Sequence, residues 1–540
     1  MPTIRRSGSC RDFGAAVSST VSDPARESLA RSGALSLAGS AFAALAALAL
    51  TALVSNSYGP DGTGVFFQAV AVFTVVTQVL KLGTNSALIR FVTAKRALTS
   101  GPGGTDAWRV TLLAVLPVLV VSGLAALAVA LAATPLANLL APAAHAAELA
   151  GLLVALAPFI VVGSVLGVLQ TVARLVRGVG TFTVLQSIAL PASRLGVVFA
   201  VVLLGTGTAG AETAFFGWLA VLAPWLLVTA VVVAAPLLAD RRAAHPAAGR
   251  TTPREFWAFS APRAVGASLE TALDWSDVLV VAALTSPRDA GVYAVVTRAV
   301  RAGQVIDRAM RIAVSPRISH LLAVNDRAGA TTLHTSVTRG LILLSWPFYL
   351  TLVFLGPAVL SLFGPGFTSG QLALAILAAA MMISSGSGML QSVLLQGGRS
   401  PWQMYNKAAV LAVNIGLSVL LVPVIGISGA AISWLTCIVL DTALASWQVH
   451  RLMGVRLEPR ALLPSAVLPL AFFGVGCLAI RLVAGESLVG LLVGVPVITA
   501  LYLLGIRLLR TRLGVSLALF RRPAAAEKQP QGTGETPAAR

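Results

Sequence analysis

The chain has 540 residues, of which 57% are hydrophobic and only 11% charged, and its mean hydropathy is +0.87. A soluble domain carries charge on about a quarter of its residues, so these values exclude a soluble globular protein and leave a polytopic membrane protein. The net charge of +19 would suggest nucleic acid in a soluble chain. Here the cations lie in short polar gaps between apolar runs, which is the positive-inside pattern, and no nucleic-acid partner is expected.

Residues 1–32 read as a polar cytoplasmic tail, and the apolar run at 33–55 is too long for a cleaved signal. Spans of about 20 residues, enough to cross roughly 30 Å of hydrocarbon, are predicted over 33–55, 64–84, 110–133, 149–170, 181–204, 211–236, 264–285, 291–314, 338–362, 371–395, 403–422, 427–449, 462–483 and 488–509. That makes about 14 helices in an all-α chain. Arg and Lys collect after every second span, for example Arg90, Lys95 and Arg96, then Arg241, Arg242, Arg250, Arg254 and Arg263. Both termini are therefore expected in the cytoplasm. The loops on the other side are short and offer no platform for an enzyme.

Self-similarity at long period divides the chain. Gly59-Pro-Asp-Gly-Thr-Gly-Val-Phe66 matches Ser286-Pro-Arg-Asp-Ala-Gly-Val-Tyr293, and Gly207-Thr-Ala-Gly-Ala211 matches Gly426-Ile-Ser-Gly-Ala430. Leu169-Gln170 likewise matches Leu390-Gln391, at a similar offset. Two parallel repeats of six helices follow: a first lobe at 33–236, an inter-lobe cytoplasmic loop at 237–263, and a second lobe at 264–450. A further helix pair is expected at 451–510 and a disordered cytoplasmic tail at 511–540.

The pattern resembles the multidrug/oligosaccharidyl-lipid/polysaccharide exporter superfamily, and within it the polysaccharide flippase (Wzx-like) branch. The residues that carry the resemblance are Tyr58-Gly-Pro-Asp-Gly-Thr-Gly64, Leu82-Gly-Thr-Asn-Ser-Ala-Leu-Ile-Arg90, Asp277-Val-Leu-Val-Val281 and Asn414-Ile-Gly-Leu-Ser-Val-Leu-Leu-Val-Pro423. The resemblance implies a MATE-like pair of lobes around a central cavity that opens alternately to each side of a bacterial cytoplasmic membrane. It also implies a polyprenyl-diphosphate-linked oligosaccharide as substrate, no cofactor, and the polymerase and glycosyltransferases of the same pathway as partners. A cation-coupled multidrug exporter and a peptidoglycan-precursor flippase are the alternatives within the superfamily.

The hairpin from 264 to 315 carries more charge than a membrane segment tolerates without a reason. Glu270, Asp274 and Asp277 share one helix face, and Arg298, Arg301, Arg308 and Arg311 stud the other arm. Depth matching around the turn sets Asp277 level with Arg298 and Asp274 level with Arg301. These four either neutralise one another or line the cavity as ion-coupling and substrate-binding groups. Arg308 and Arg311 lie nearer the cytoplasmic mouth, where they either meet the diphosphate as bidentate donors or snorkel to the interface. Arg194 stands alone in its span and reads as an anion-binding cavity residue or as the partner of Asp274, Asp277 or Asp441. Asp441 is read as a coupling-ion carboxylate or an arginine's partner. No Gly-Lys-Ser/Thr, zincin or Gly-x-Ser-x-Gly motif occurs, so ATP-driven transport and those hydrolase classes are not expected.

Overall fold

The computed structural model describes residues 23–98, 106–205, 210–243, 251–396, 400–454 and 459–513. All regular structure among them is helical. In the first half these are α1 (Asp23–Leu80), α2 (Thr84–Leu98), α3 (Ala107–Leu131), α4 (Ala133–Leu140), α5 (Ala146–Arg177), α6 (Val179–Phe182), α7 (Leu190–Leu204), α8 (Ala211–Ala220) and α9 (Leu222–Ala243). The second half runs through α10 (Pro253–Leu284), α11 (Pro287–Ala302), α12 (Gln304–Ala323), α13 (Arg327–Phe354), α14 (Gly356–Ser361), α15 (Gln371–Gly386), α16 (Leu390–Gln396), α17 (Ser400–Ile425) and α18 (Ile427–Gln448). The closing helices are α19 (Pro459–Pro469), α20 (Val475–Ala484) and α21 (Val495–Leu513).

Eleven helical segments among the described residues are long and apolar enough to cross a membrane. The first of them, Gly33–Leu80, covers two predicted spans, because α1 bends at Gly59, whose φ of 64° is left-handed. The hairpin helices α10 to α12 are not among the eleven. Burial follows what a bilayer demands. Large aliphatic side chains such as Leu131, Leu204 and Leu482 are exposed on the outside of the bundle, while Val54, Phe66, Phe215, Tyr293 and Tyr349 form the contact between helices.

The two halves meet at a crossing of the second arm of α1 with α11. A Cβ on Gly64 would overlap the Pro287 carbonyl, lying 2.6 Å from its carbon and 3.1 Å from Gly291 N. A Cβ on Gly291 would overlap the Pro60 carbonyl in the same way, 3.0 Å from its carbon and 2.8 Å from Gly64 N. Pro60 and Gly64 are the repeat equivalents of Pro287 and Gly291. The crossing therefore maps onto itself when the halves are exchanged, which is the geometry of parallel repeats about an axis along the bundle. At this arginine-poor end Asn56 Nδ2 also donates to Leu362 O at 3.0 Å. At the arginine-rich end, Ser260 Oγ donates to Leu82 O at 2.6 Å, and the Phe91 ring lies 5.9 Å from Phe256 and 5.8 Å from Phe259.

Several boundaries differ from the sequence expectation. The first helix starts by Asp23, inside the expected polar tail, and the expected inter-lobe loop is partly helical, with α9 running to Ala243 and α10 starting at Pro253. The reason for the second is a capping box: Thr252 Oγ1 accepts from Glu255 N, and Glu255 accepts from Thr252 N, with proline at the first helical position. The predicted span at 291–314 is two helices broken at Gly303, and that at 371–395 is broken between Gly386 and Leu390. Gly303 fits there because a Cβ would lie 2.7 Å from the Tyr349 ring. Within the 181–204 span the stretch Thr183–Ala189 is π-helical. The expected tails at 1–22 and 514–540, and the repeat elements at 207–209 and 397–398, lie outside the described residues.

Candidate functional site

Two cavities lie against the charged hairpin. The first, of about 490 Å³, sits between the halves, and small residues of α1 (Ser40, Ala43, Ala44, Ala47) leave room for it. Arg194, Arg298, Arg301 and Arg308 line it, with no carboxylate among the lining residues. Two of these guanidinium groups rest on aromatic faces. Arg194 Cζ is 3.6 Å from the centroid of the Trp218 ring, and Arg298 Cζ is 3.9 Å from Phe67 and 4.8 Å from Trp275. An aromatic platform holds a guanidinium in place without neutralising it, so its remaining donors stay available to an anion. Arg194 forms no ion pair among the described residues, and its Nε has no hydrogen-bond partner. The expected link from Arg194 to Asp274, Asp277 or Asp441 is not made.

Depth matching succeeds for one hairpin pair and fails for the other. Arg301 Nη2 lies 3.7 Å from Asp274 Oδ1 and also donates to the Asp274 carbonyl. Asp277 instead accepts from Tyr293 OH at 3.3 Å, and Arg298 turns away to Phe67 and to the Ala294 carbonyl, 3.1 Å from its Nη1. Tyr293 and Arg298 are five residues apart, about 140° around a helix of 3.6 residues per turn. One therefore faces the buried acid and the other faces the first half. Next to Asp277, Ser276 Oγ donates to Asn414 Oδ1 at 3.1 Å.

The second cavity, of about 270 Å³, lies within the second half and is lined from α10, α12, the α15–α16 break, α17 and α18. Glu270, Asp274, Asp307 and Asp441 supply its carboxylates, and Arg308, Arg311 and Lys407 its cations. Arg308 lines both cavities. Asp441 is held by Lys407 Nζ at 3.0 Å and by Gln391 Nε2 at 2.9 Å, so its partner is a lysine and not the arginine the sequence suggested. Lys407 stands about two turns into α17, on the side that turns inward. Arg311 and Glu270 are exposed at this cavity and form no ion pair among the described residues. The aromatic platforms Phe67, Trp218 and Trp275 escape sequence reasoning, since an aromatic residue in an apolar span looks like any other core residue. Among the described residues no group of three His, Cys, Asp or Glu side chains is placed to hold a metal ion.

No protein-family model and no curated protein matches the chain. Solved structures do match in fold. The lipid II flippase MurJ in an inward closed conformation has 13% sequence identity and a TM-score of 0.66, over 89% of this chain and 99% of its own. An inward-facing MATE-family multidrug resistance transporter of the MOP superfamily has 14% identity and a TM-score of 0.57, over 76% of this chain and 94% of its own. A MOP-superfamily transporter from Pyrococcus furiosus, described as having a binding pocket of reversed polarity, has 15% identity and a TM-score of 0.52, over 79% and 95%. The chain shares the fold of these membrane transporters.

Proposed function

We propose that the protein is a flippase for a polyprenyl-diphosphate-linked oligosaccharide, working by alternating access of its two halves. The observation that carries this is the interface cavity: four arginines line it and no carboxylate does. A diphosphate is the group such a cavity favours, since arginine donates to phosphate oxygens in pairs. A cationic drug would be repelled, which disfavours the multidrug exporter. The end that is sewn together at Gly64 and Gly291 is assigned to the outside and the arginine-rich end to the cytoplasm, by the positive-inside rule. Both termini then lie in the cytoplasm of a bacterial cell, where such carriers are loaded.

Arg194 and Arg298 are the residues on which the reading depends. In proteoliposomes carrying undecaprenyl-diphosphate-linked N-acetylglucosamine, Arg194→Gln and Arg298→Gln are expected to lower the flipping rate at least tenfold while the variants elute as folded protein. Full activity in both would overturn the assignment. A peptidoglycan precursor carries the same diphosphate and fits the same cavity. Rescue of a strain depleted of its lipid II flippase would favour that substrate, and rescue of a strain lacking a polysaccharide flippase the first.

A further inference from the structure

The two cavities adjoin through Arg308 yet differ in chemistry. The interface cavity has only cations among its charged lining groups, while the second-half cavity sets four carboxylates against three cations. A phosphate placed there would face Glu270, Asp274, Asp307 and Asp441, an arrangement opposed by like-charge repulsion. A lone cation finds two of the acids engaged, Asp441 by Lys407 and Gln391 and Asp274 by Arg301, and among the described residues no three carboxylates converge as a metal site needs. What remains is a wall of mixed donors and acceptors, some paired and some, such as Asp307 Oδ1 and Gln391 Oε1, without a partner, suited to a neutral ligand rich in hydroxyl groups. Three amides, Gln304, Gln391 and Gln403, add donors and acceptors on the same wall, and Trp434 adds a flat apolar face. Ligand pockets combine these two features, an apolar face and a few convergent polar groups.

We propose that the second-half cavity is a saccharide subsite, seating the sugar next to the diphosphate that the arginines hold. The inference rests on the flippase reading and adds to it the place where the sugar is recognised. Hydroxyl groups of the ring exchange water for the carboxylates, amides and guanidinium groups, and a ring face lies against Trp434. Arg308, which borders both cavities, is the residue that touches phosphate on one side and sugar on the other. A site built to bond hydroxyl groups rejects a ligand without them, because its own polar groups are then left unpaired.

The test compares binding of bare undecaprenyl diphosphate with that of its glucose, galactose and N-acetylglucosamine conjugates, using the full chain in nanodiscs. At least one conjugate is expected to bind about tenfold tighter or more than the bare carrier. Gln403→Ala and Trp434→Ala are each expected to remove about tenfold of that preference and to leave binding of the bare diphosphate unchanged, which also certifies that the variants are folded. Conjugates that bind no better than the bare carrier overturn the subsite and leave the flippase reading standing. Variants that weaken the bare carrier as much as the conjugates place the diphosphate in this cavity and also overturn it. Variants that alter only a sodium or proton dependence of transport make the cavity a cation site and overturn the subsite as well. Failure of the wild type to bind any of the four lipids sinks both readings together.

Discussion

Replacing Gly64 with alanine puts a methyl group where the crossing of α1 and α11 has no room. The Pro287 carbonyl oxygen is the nearest atom to the new Cβ, and its carbon lies only 2.6 Å away against the 3.4–4 Å of ordinary contact, so the two backbones must part by at least about 0.8 Å. Neither obstacle is a flexible side chain, and the cost belongs at the upper end of the 1–3 kcal/mol typical of overpacking, about 3 kcal/mol. This penalty falls only on the state in which the arginine-poor end is closed. It therefore shifts the balance between the two access states by about a hundredfold and leaves the packing within each half intact. Spin labels at Ser57 and Leu362, one in each half, read that separation in a background with the native cysteines replaced. Gly64→Ala is expected to move the distance distribution to longer values with little loss of thermal stability. Because Gly291 meets Pro60 in the equivalent way, Gly291→Ala asks for the same separation. The double variant is then expected to shift the balance by much less than the sum of the singles. An unchanged distance distribution, or additive effects, would refute the reasoning.

Two further outcomes follow from particular contacts. Lys407→Ala leaves Asp441 with Gln391 alone at a position where the side chains of the pair are 25% and 18% exposed; a loss of about 1–3 kcal/mol is expected, with partial recovery in Lys407→Ala/Asp441→Ala, read from thermal melts in detergent. Thr252→Ala removes the capping box of α10 and is expected to cost about 1 kcal/mol, whereas Thr252→Ser retains the stability, as measured in the same melts.

The fold was legible in the sequence because a bilayer leaves few solutions: apolar runs of spanning length become helices, and the Pro-x-x-x-Gly matches at 60–64 and 287–291 announce the repeat. The Asp274–Arg301 contact was legible for a related reason, since equal depth on neighbouring antiparallel helices is a matter of counting. The same counting fails for Asp277 and Arg298. Depth fixes height along a helix and says nothing of direction around it, and Arg298 is drawn to the faces of Phe67, in the first half, and of Trp275, on the hairpin's own first arm. The breaks at Gly303 and at Gly386 are hidden for the opposite reason: glycine is ordinary inside membrane helices, and only the closeness of Tyr349 makes Gly303 necessary. Thr252 and Glu255, by contrast, form a capping signature that stands in the sequence, masked only by the polar loop around it.

The reciprocal fit of Gly64 to Pro287 and Gly291 to Pro60 bears on how such a chain arises. A contact in which each half presents the same motif to the other is the isologous interface of a twofold dimer. A half-length ancestor with a single Pro-x-x-x-Gly turn would have met its own copy through this crossing, and fusion of two genes would have inherited the joint ready-made. In the ancestor any substitution at the joint acts twice, which holds both residues fixed. Elsewhere fusion frees the copies to diverge, and Ala43, Ala47 and Leu50 stand in the first half where the second has Glu270, Asp274 and Asp277.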